Sequence, residues 1–129
     1  LEVYDAETWR PYFHTKDFAN TILQIIDVDK ELLKNEIFNV GVDDNNATKN
    51  DILKIIESFA DTRKVKILDK GKDKRNYKVS FKKINQLLKL NNVMSIKDGV
   101  NEISNDFKLG KFDNYLDCSH LYGNYFIKN

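Results

Sequence analysis

Apolar residues recur at helical spacing in four stretches of this chain, and a residue able to cap a helix stands before each. Phe18, Ile22, Ile25 and Ile26 share one face of a helix expected over about residues 16–27, with Thr15 as its N-cap. Ile52, Ile55, Ile56 and Phe59 make a second stripe. Thr48 and Asp51 precede it at capping-box spacing, with Asp in the usual Glu position. Phe81, Ile84, Leu87 and Leu88 make a third, opened by Ser80. Ile96, Val100, Ile103 and Phe107 make the fourth, where Ser95 and Asp98 repeat the cap spacing. Residues 29–35 add a short turn or helical piece.

Short extended runs separate these helices. Residues 1–4 read as a strand, and residues 12–14 as another, because Pro11 imposes extended geometry at that point. Glu36-Ile37-Phe38-Asn39-Val40-Gly41 reads as a buried strand ended by glycine. Residues 65–68 and 76–79 complete the set, and residues 43–47 read as a polar loop. No two strands are joined by a tight hairpin turn such as Asn-Gly. The fold class is therefore mixed α/β, with about four helices and short strands scattered singly between them. That is too few strands for a complete parallel sheet, so residues 1–129 read as one region of a larger α/β protein. Leu1 in place of Met gives the same expectation of a fragment or a processed product. The stretch from Gly110 onward holds Tyr115, Tyr122, Tyr125 and Phe126 without helical periodicity, and is expected to wrap the surface.

Composition narrows the class. With 129 residues, 41% of them hydrophobic and 32% charged, the chain has the length of one domain and the make-up of a soluble globular protein. Its net charge of +1 supplies no global field for nucleic acid or membrane. The single cysteine, Cys118, excludes an internal disulfide and a multi-cysteine zinc site, and fits a reducing, cytoplasmic setting. No apolar run approaches the roughly 20 residues needed to span a bilayer.

Two places carry candidate chemistry. Arg10 opens the stretch Arg10-Pro11-Tyr12-Phe13-His14-Thr15-Lys16-Asp17, where a fixed cation precedes a stiff turn and a helix start. Its planar guanidinium suits bidentate phosphate, though the residue alone favours a plain surface arginine beside a proline turn. The run Lys70-Gly71-Lys72-Asp73-Lys74-Arg75-Asn76-Tyr77 gathers four cations, a glycine and an aromatic ring. It reads either as a diphosphate site or as a solvated charged turn. His14 follows an apolar pair and reads as a half-buried, satisfied histidine. Asp17 belongs to the first turn of its helix, where a carboxylate suits the dipole. Asp117 argues against a reactive Cys118. The run Asp43-Asp44-Asn45-Asn46 lacks the spaced acidic ligands of a calcium loop and reads as a turn. There is no glycine-rich dinucleotide fingerprint, no P-loop and no nucleophile elbow. Tyr12 and Lys16 have Tyr-x-x-x-Lys spacing, but Pro11 places Tyr12 outside a helix.

Taken in order, these segments resemble the NAD-dependent epimerase/dehydratase family, the extended short-chain dehydrogenases acting on nucleotide sugars. Arg10 to Asp17 is similar to the family's Arg-Pro/Asp-aromatic-aliphatic-His-Val-x-Asp segment. Ile37-Phe38-Asn39-Val40-Gly41 is similar to its strand ending Asn-Val-Gly, and Asn46 to Ile52 to its next helix start. Lys74 to Ile84 is similar to its Arg-Asn/Ser-Tyr-x-Val segment, and Asp98 to Ile103 to its closing helix. The resemblance covers nearly the whole chain.

It implies the C-terminal, substrate-binding part of such an enzyme, with residues 37–40 returning to the sheet of a Rossmann domain that precedes this region. It implies that Arg10 contacts the diphosphate of a nucleotide sugar. The family's Arg-x-Gly-Asp cluster and its downstream Tyr fall on Lys70, Asp73 and Tyr77. Lys70 stands in for arginine, Gly71 lies one place early, and Arg75 is a neighbouring alternative. NAD or NADP would be bound by the preceding half, and no cofactor, catalytic residue or metal ligand is expected here. The full-length parent would be an enzyme and a homodimer. This chain alone would be inactive, and the unpaired edge of residues 37–40 would promote self-association. The alternative is a non-catalytic binding or interaction module on the same scaffold. Neither reading includes a nucleic acid or a membrane as partner.

Overall fold

The computed structural model of the chain describes residues 1–62, 64–68 and 75–114. It is mixed α/β, with five helices and four short strands among these residues. The strands are β1 (Glu2–Tyr4), β2 (Trp9–Pro11), β3 (Asn46–Thr48) and β4 (Lys66–Leu68). The helices are α1 (Thr15–Ile26), α2 (Lys30–Leu33), α3 (Lys49–Glu57), α4 (Lys82–Leu88) and α5 (Ile96–Lys108). The strands form two separate ladders. β1 pairs with β4 in parallel, Val3 opposite Ile67, and β2 pairs with β3 antiparallel, Arg10 opposite Ala47.

Helix starts follow the local chemistry of the sequence. Thr48 and Asp51 form a complete capping box on α3, and Ser95 and Asp98 form one on α5. The Asp51 carboxylate accepts from the Thr48 hydroxyl at 2.7 Å and from its N–H at 3.0 Å. At α1 the cap is one residue earlier than expected. His14, not Thr15, is the N-cap, and its Nδ1 accepts from the Lys16 N–H at 3.2 Å. On α4 the N-cap is Phe81, with Ser80 Oγ only 3.5 Å from the Lys82 nitrogen.

The strands depart further from expectation. Residues 37–40 form no strand, and Ile37 is 86% exposed. Phe38 and Val40 are half-buried while Ile37 and Asn39 are exposed, so the alternation survives without a ladder. A strand needs a paired neighbour as well as a pattern, and this segment is held instead by side chains. Lys83 Nζ donates to the Ile37 carbonyl at 2.9 Å and pairs with Glu36. Asn39 lies 3.5 Å from the Ser80 carbonyl. β2 ends at Pro11, so the strand expected over 12–14 lies three residues earlier. β3 forms at the end of what read as a loop, because β2 offers it a partner.

The core is small. Ile84 is fully buried, Phe81 nearly so, and Ala6, Gly41, Ala47, Thr21, Asn45 and Thr48 join them. The Phe81 ring lies against Gly41, whose φ of 153° suits glycine and whose missing Cβ would come within 2.6 Å of that ring. α4 touches α1, and α3 packs on α5 and β3. The α1 stripe, expected to be buried, is largely open. Phe18 is 49%, Ile22 47% and Ile26 70% exposed, with Ile25 half-buried. Periodicity aligns a stripe; it does not supply the layer that covers it.

Candidate functional site

The polar run after Gly41 is a backbone clamp. Asp43 Oδ1 accepts from the Phe81 N–H at 3.1 Å. Asn45 is buried and donates to the Met94 carbonyl at 3.0 Å, while Asp17 Oδ2 accepts from the Met94 N–H at 2.8 Å. Asn46 uses both ends of its amide on Val79, accepting from its N–H at 2.9 Å and donating to its carbonyl at 3.0 Å. The turn reading of these residues therefore missed their main work, which is to hold residues 79–81 and 94 in place. A run of Asp and Asn carries that potential, but nothing local says which distant backbone it will meet.

Asn46 and β2 together place residues 75–79. Trp9 N–H donates to Asn76 Oδ1 at 2.9 Å, and the Tyr77 N–H reaches the Trp9 carbonyl at 3.4 Å. Residues alternate sides along extended backbone, so two contacts form on opposite sides of this junction. Arg10 Cζ sits 5.3 Å from the centroid of the Tyr77 ring, and Lys78 Nζ sits 3.6 Å from that of Trp9. Arg10 Nη1 also donates to the Trp9 carbonyl at 2.7 Å, which fixes a half-buried guanidinium beside an exposed tyrosine. Burial pushes the Tyr12 phenol up, against the pull of the Arg10 charge.

The expected site residues thus separate into two groups. Arg10 and Tyr77, 67 positions apart, are brought side by side, and exposed Arg75 lies two residues from Tyr77. Lys70, Gly71 and Asp73 fall outside the described residues, as do Cys118, His120 and the expected surface path of residues 115–129. On the Trp9 side, a cavity of about 570 Å³ is lined by Trp9, Asp43, Asp44, Asn46, Lys78 and Ser80. Its two aspartates disfavour an anion there.

His14 is half-buried with both ring nitrogens engaged. Nδ1 caps α1, and Nε2 lies 3.4 Å from Glu102. Glu102 is held low by its hydrogen bond from Lys16 Nζ at 2.6 Å. Tyr12 precedes α1 and Lys16 is committed to Glu102, so their four-residue spacing makes no catalytic pair. Among the described residues no three His, Cys, Asp or Glu side chains are grouped to hold a metal. No helix among them is long and apolar enough to cross a membrane. No family model matches the chain, and neither a curated protein nor a solved structure matches it.

Proposed function

We propose that this chain is the nucleotide-sugar-binding part of an NAD-dependent epimerase or dehydratase, with Arg10 and Tyr77 as contacts to the nucleotide diphosphate. The observation that carries the reading is the placement of the Arg10 guanidinium against the Tyr77 ring. Two segments singled out in the sequence for the same ligand meet across β2. The planar guanidinium of Arg10 suits bidentate contact with a phosphate. The Tyr77 ring beside it lies within cation–π range of the guanidinium. Arg75 and the run from Lys70 to Asp73 adjoin this junction in sequence and are assigned to the same diphosphate.

NAD or NADP has no assigned residue in this chain, which carries no glycine-rich loop. The cofactor and the catalytic groups belong to the preceding half of the parent. In this reading the open stripe of α1 is where that half packs.

Calorimetry on the full-length parent tests the assignment. Arg10→Ala should weaken UDP or dTDP binding by about 1.5–3 kcal/mol, the scale of a charged hydrogen bond. An unchanged affinity for both would remove Arg10 from the site.

A further inference from the structure

His14 holds two helices at once. Its Nδ1 accepts from the Lys16 N–H at 3.2 Å and closes the start of α1, while its Nε2 lies 3.4 Å from a carboxylate oxygen of Glu102 on α5. A ring nitrogen accepts a hydrogen bond only when it carries no proton. The Nδ1 contact therefore selects a neutral ring with its proton on Nε2, facing Glu102. Among the described helices, α1 alone is capped by an imidazole. The caps of α3 and α5 rest on the hydroxyls of Thr48 and Ser95, which keep the same charge at any ordinary pH.

A second proton acts on the two contacts in opposite directions. On Nδ1 it faces the Lys16 N–H, donor against donor, and the cap is lost. The Nε2–H contact to Glu102 becomes charge-assisted and tightens. The surrounding ionisable groups keep their states while this happens. Glu102 is held low by its hydrogen bond from Lys16 and stays a carboxylate, and Asp106 follows it one turn along α5. Asp98 is held low by Ser95, and burial keeps the nearby Tyr12 phenol protonated. α3 meets the cavity beside the ring with uncharged Ile52. On α1 itself, Asp17 Oδ2 accepts from the Met94 N–H at 2.8 Å, immediately before the Ser95 cap of α5. The first turn of α1 thus carries a second tie to the start of α5.

We propose that His14 is a proton-sensitive joint between α1 and α5. Neutral, it holds both helices; protonated, it stays with Glu102 and releases the first turn of α1, and with it the Asp17 tie to Met94. The joint uses neither Arg10 nor Tyr77 and does not depend on nucleotide-sugar binding.

NMR of the intact chain between about pH 8 and pH 5, the range in which histidine changes charge, is the test. The Lys16 and Met94 amide signals should titrate with the midpoint of the His14 ring. Protection of the Lys16 amide against hydrogen exchange, corrected for the intrinsic rate, should fall about fivefold over that range, the equivalent of one N-cap. His14→Asn leaves an uncharged acceptor at the cap and should abolish the titration of both amides. The ring signal missing from that variant identifies His14 against His120. Glu102→Gln should lower the shared midpoint, because the charge that retains the protonated ring is gone. Amides that stay still while the ring titrates would overturn the proposal, since the ring would then have turned over and kept the cap. So would amides that titrate unchanged in His14→Asn, or a midpoint that Glu102→Gln leaves in place.

Discussion

Asn46 does with one side chain what a neighbouring strand does with its backbone. Its amide answers both the N–H and the carbonyl of Val79, and it stands in β3 while doing so. Asp17 and Asn45 do the same for Met94, one from each side. Asn46 fixes Val79, and with the Trp9 backbone it sets where residues 76–79 lie and so the distance between Arg10 and Tyr77. Sequence read Asp17 as structural and His14 as satisfied: the Asp17 carboxylate holds Met94, 77 positions away, and His14 Nδ1 caps its own helix. It read Asn45 and Asn46 as a turn because their partners lie 49 and 33 positions away. At Gly41 the reason for glycine is equally distant: the Phe81 ring occupies the space of a Cβ. Gly41→Ala should cost about 1–3 kcal/mol in urea denaturation, the range for forcing an extra methyl group into a packed site. A loss below about 0.5 kcal/mol, the scatter of neutral substitutions, would mean that Phe81 is free to move aside.

Helices were far more legible than strands. Thr48 with Asp51 and Ser95 with Asp98 announce α3 and α5 because each box closes within four residues. The strand at residues 37–40 had a good pattern and no partner, while β3 had a poor pattern and a partner in β2. The boxes also make the helices sensitive to acid. Hydrogen bonds from Thr48 and Ser95 hold Asp51 and Asp98 below the usual carboxylate value of 3.8. A depressed folded pKa means stability that is present above the unfolded pKa and lost as pH falls through the folded one. Helicity should therefore hold down to about pH 5, where unfolded aspartates begin to protonate, and decline below it. Thr48→Ala should cost about 1 kcal/mol at neutral pH and flatten this decline, followed by far-UV circular dichroism. An acid transition as steep as that of the parent chain would dissociate the α3 cap from it.

At the scale of the molecule, the exposed apolar surface of α1, α2 and residue 37 is the dominant fact. Phe18, Ile22, Leu23, Ile26, Leu32 and Ile37 each leave between 47% and 86% of their surface in water. The sequence expected association through a strand edge at residues 37–40. With no strand there, the exposed α1 face is where association is expected instead. The isolated chain should associate as its concentration rises, and Ile22→Ser combined with Ile26→Ser should shift it toward monomer in sedimentation velocity. A parent chain that is monomeric throughout the range would show that this face does not drive association. Legibility stopped at the same boundary here: composition and periodicity give the amount of apolar surface and its alignment, and neither says what meets it.

The parallel ladder has a temporal consequence. Glu2 pairs with Lys66, so β1 has no partner until more than sixty further residues have been made. At roughly 5–20 residues per second during synthesis, that is a wait of about 3–12 seconds. The turns and caps of α1 and α3 are local, and helical turns can sample on the microsecond scale, far faster than this wait. Val3 and its neighbours therefore spend the whole interval without the ladder partner that β4 supplies. That delay, set by chain order alone, leaves residues 2–4 as extended backbone with no ladder partner until β4 is made.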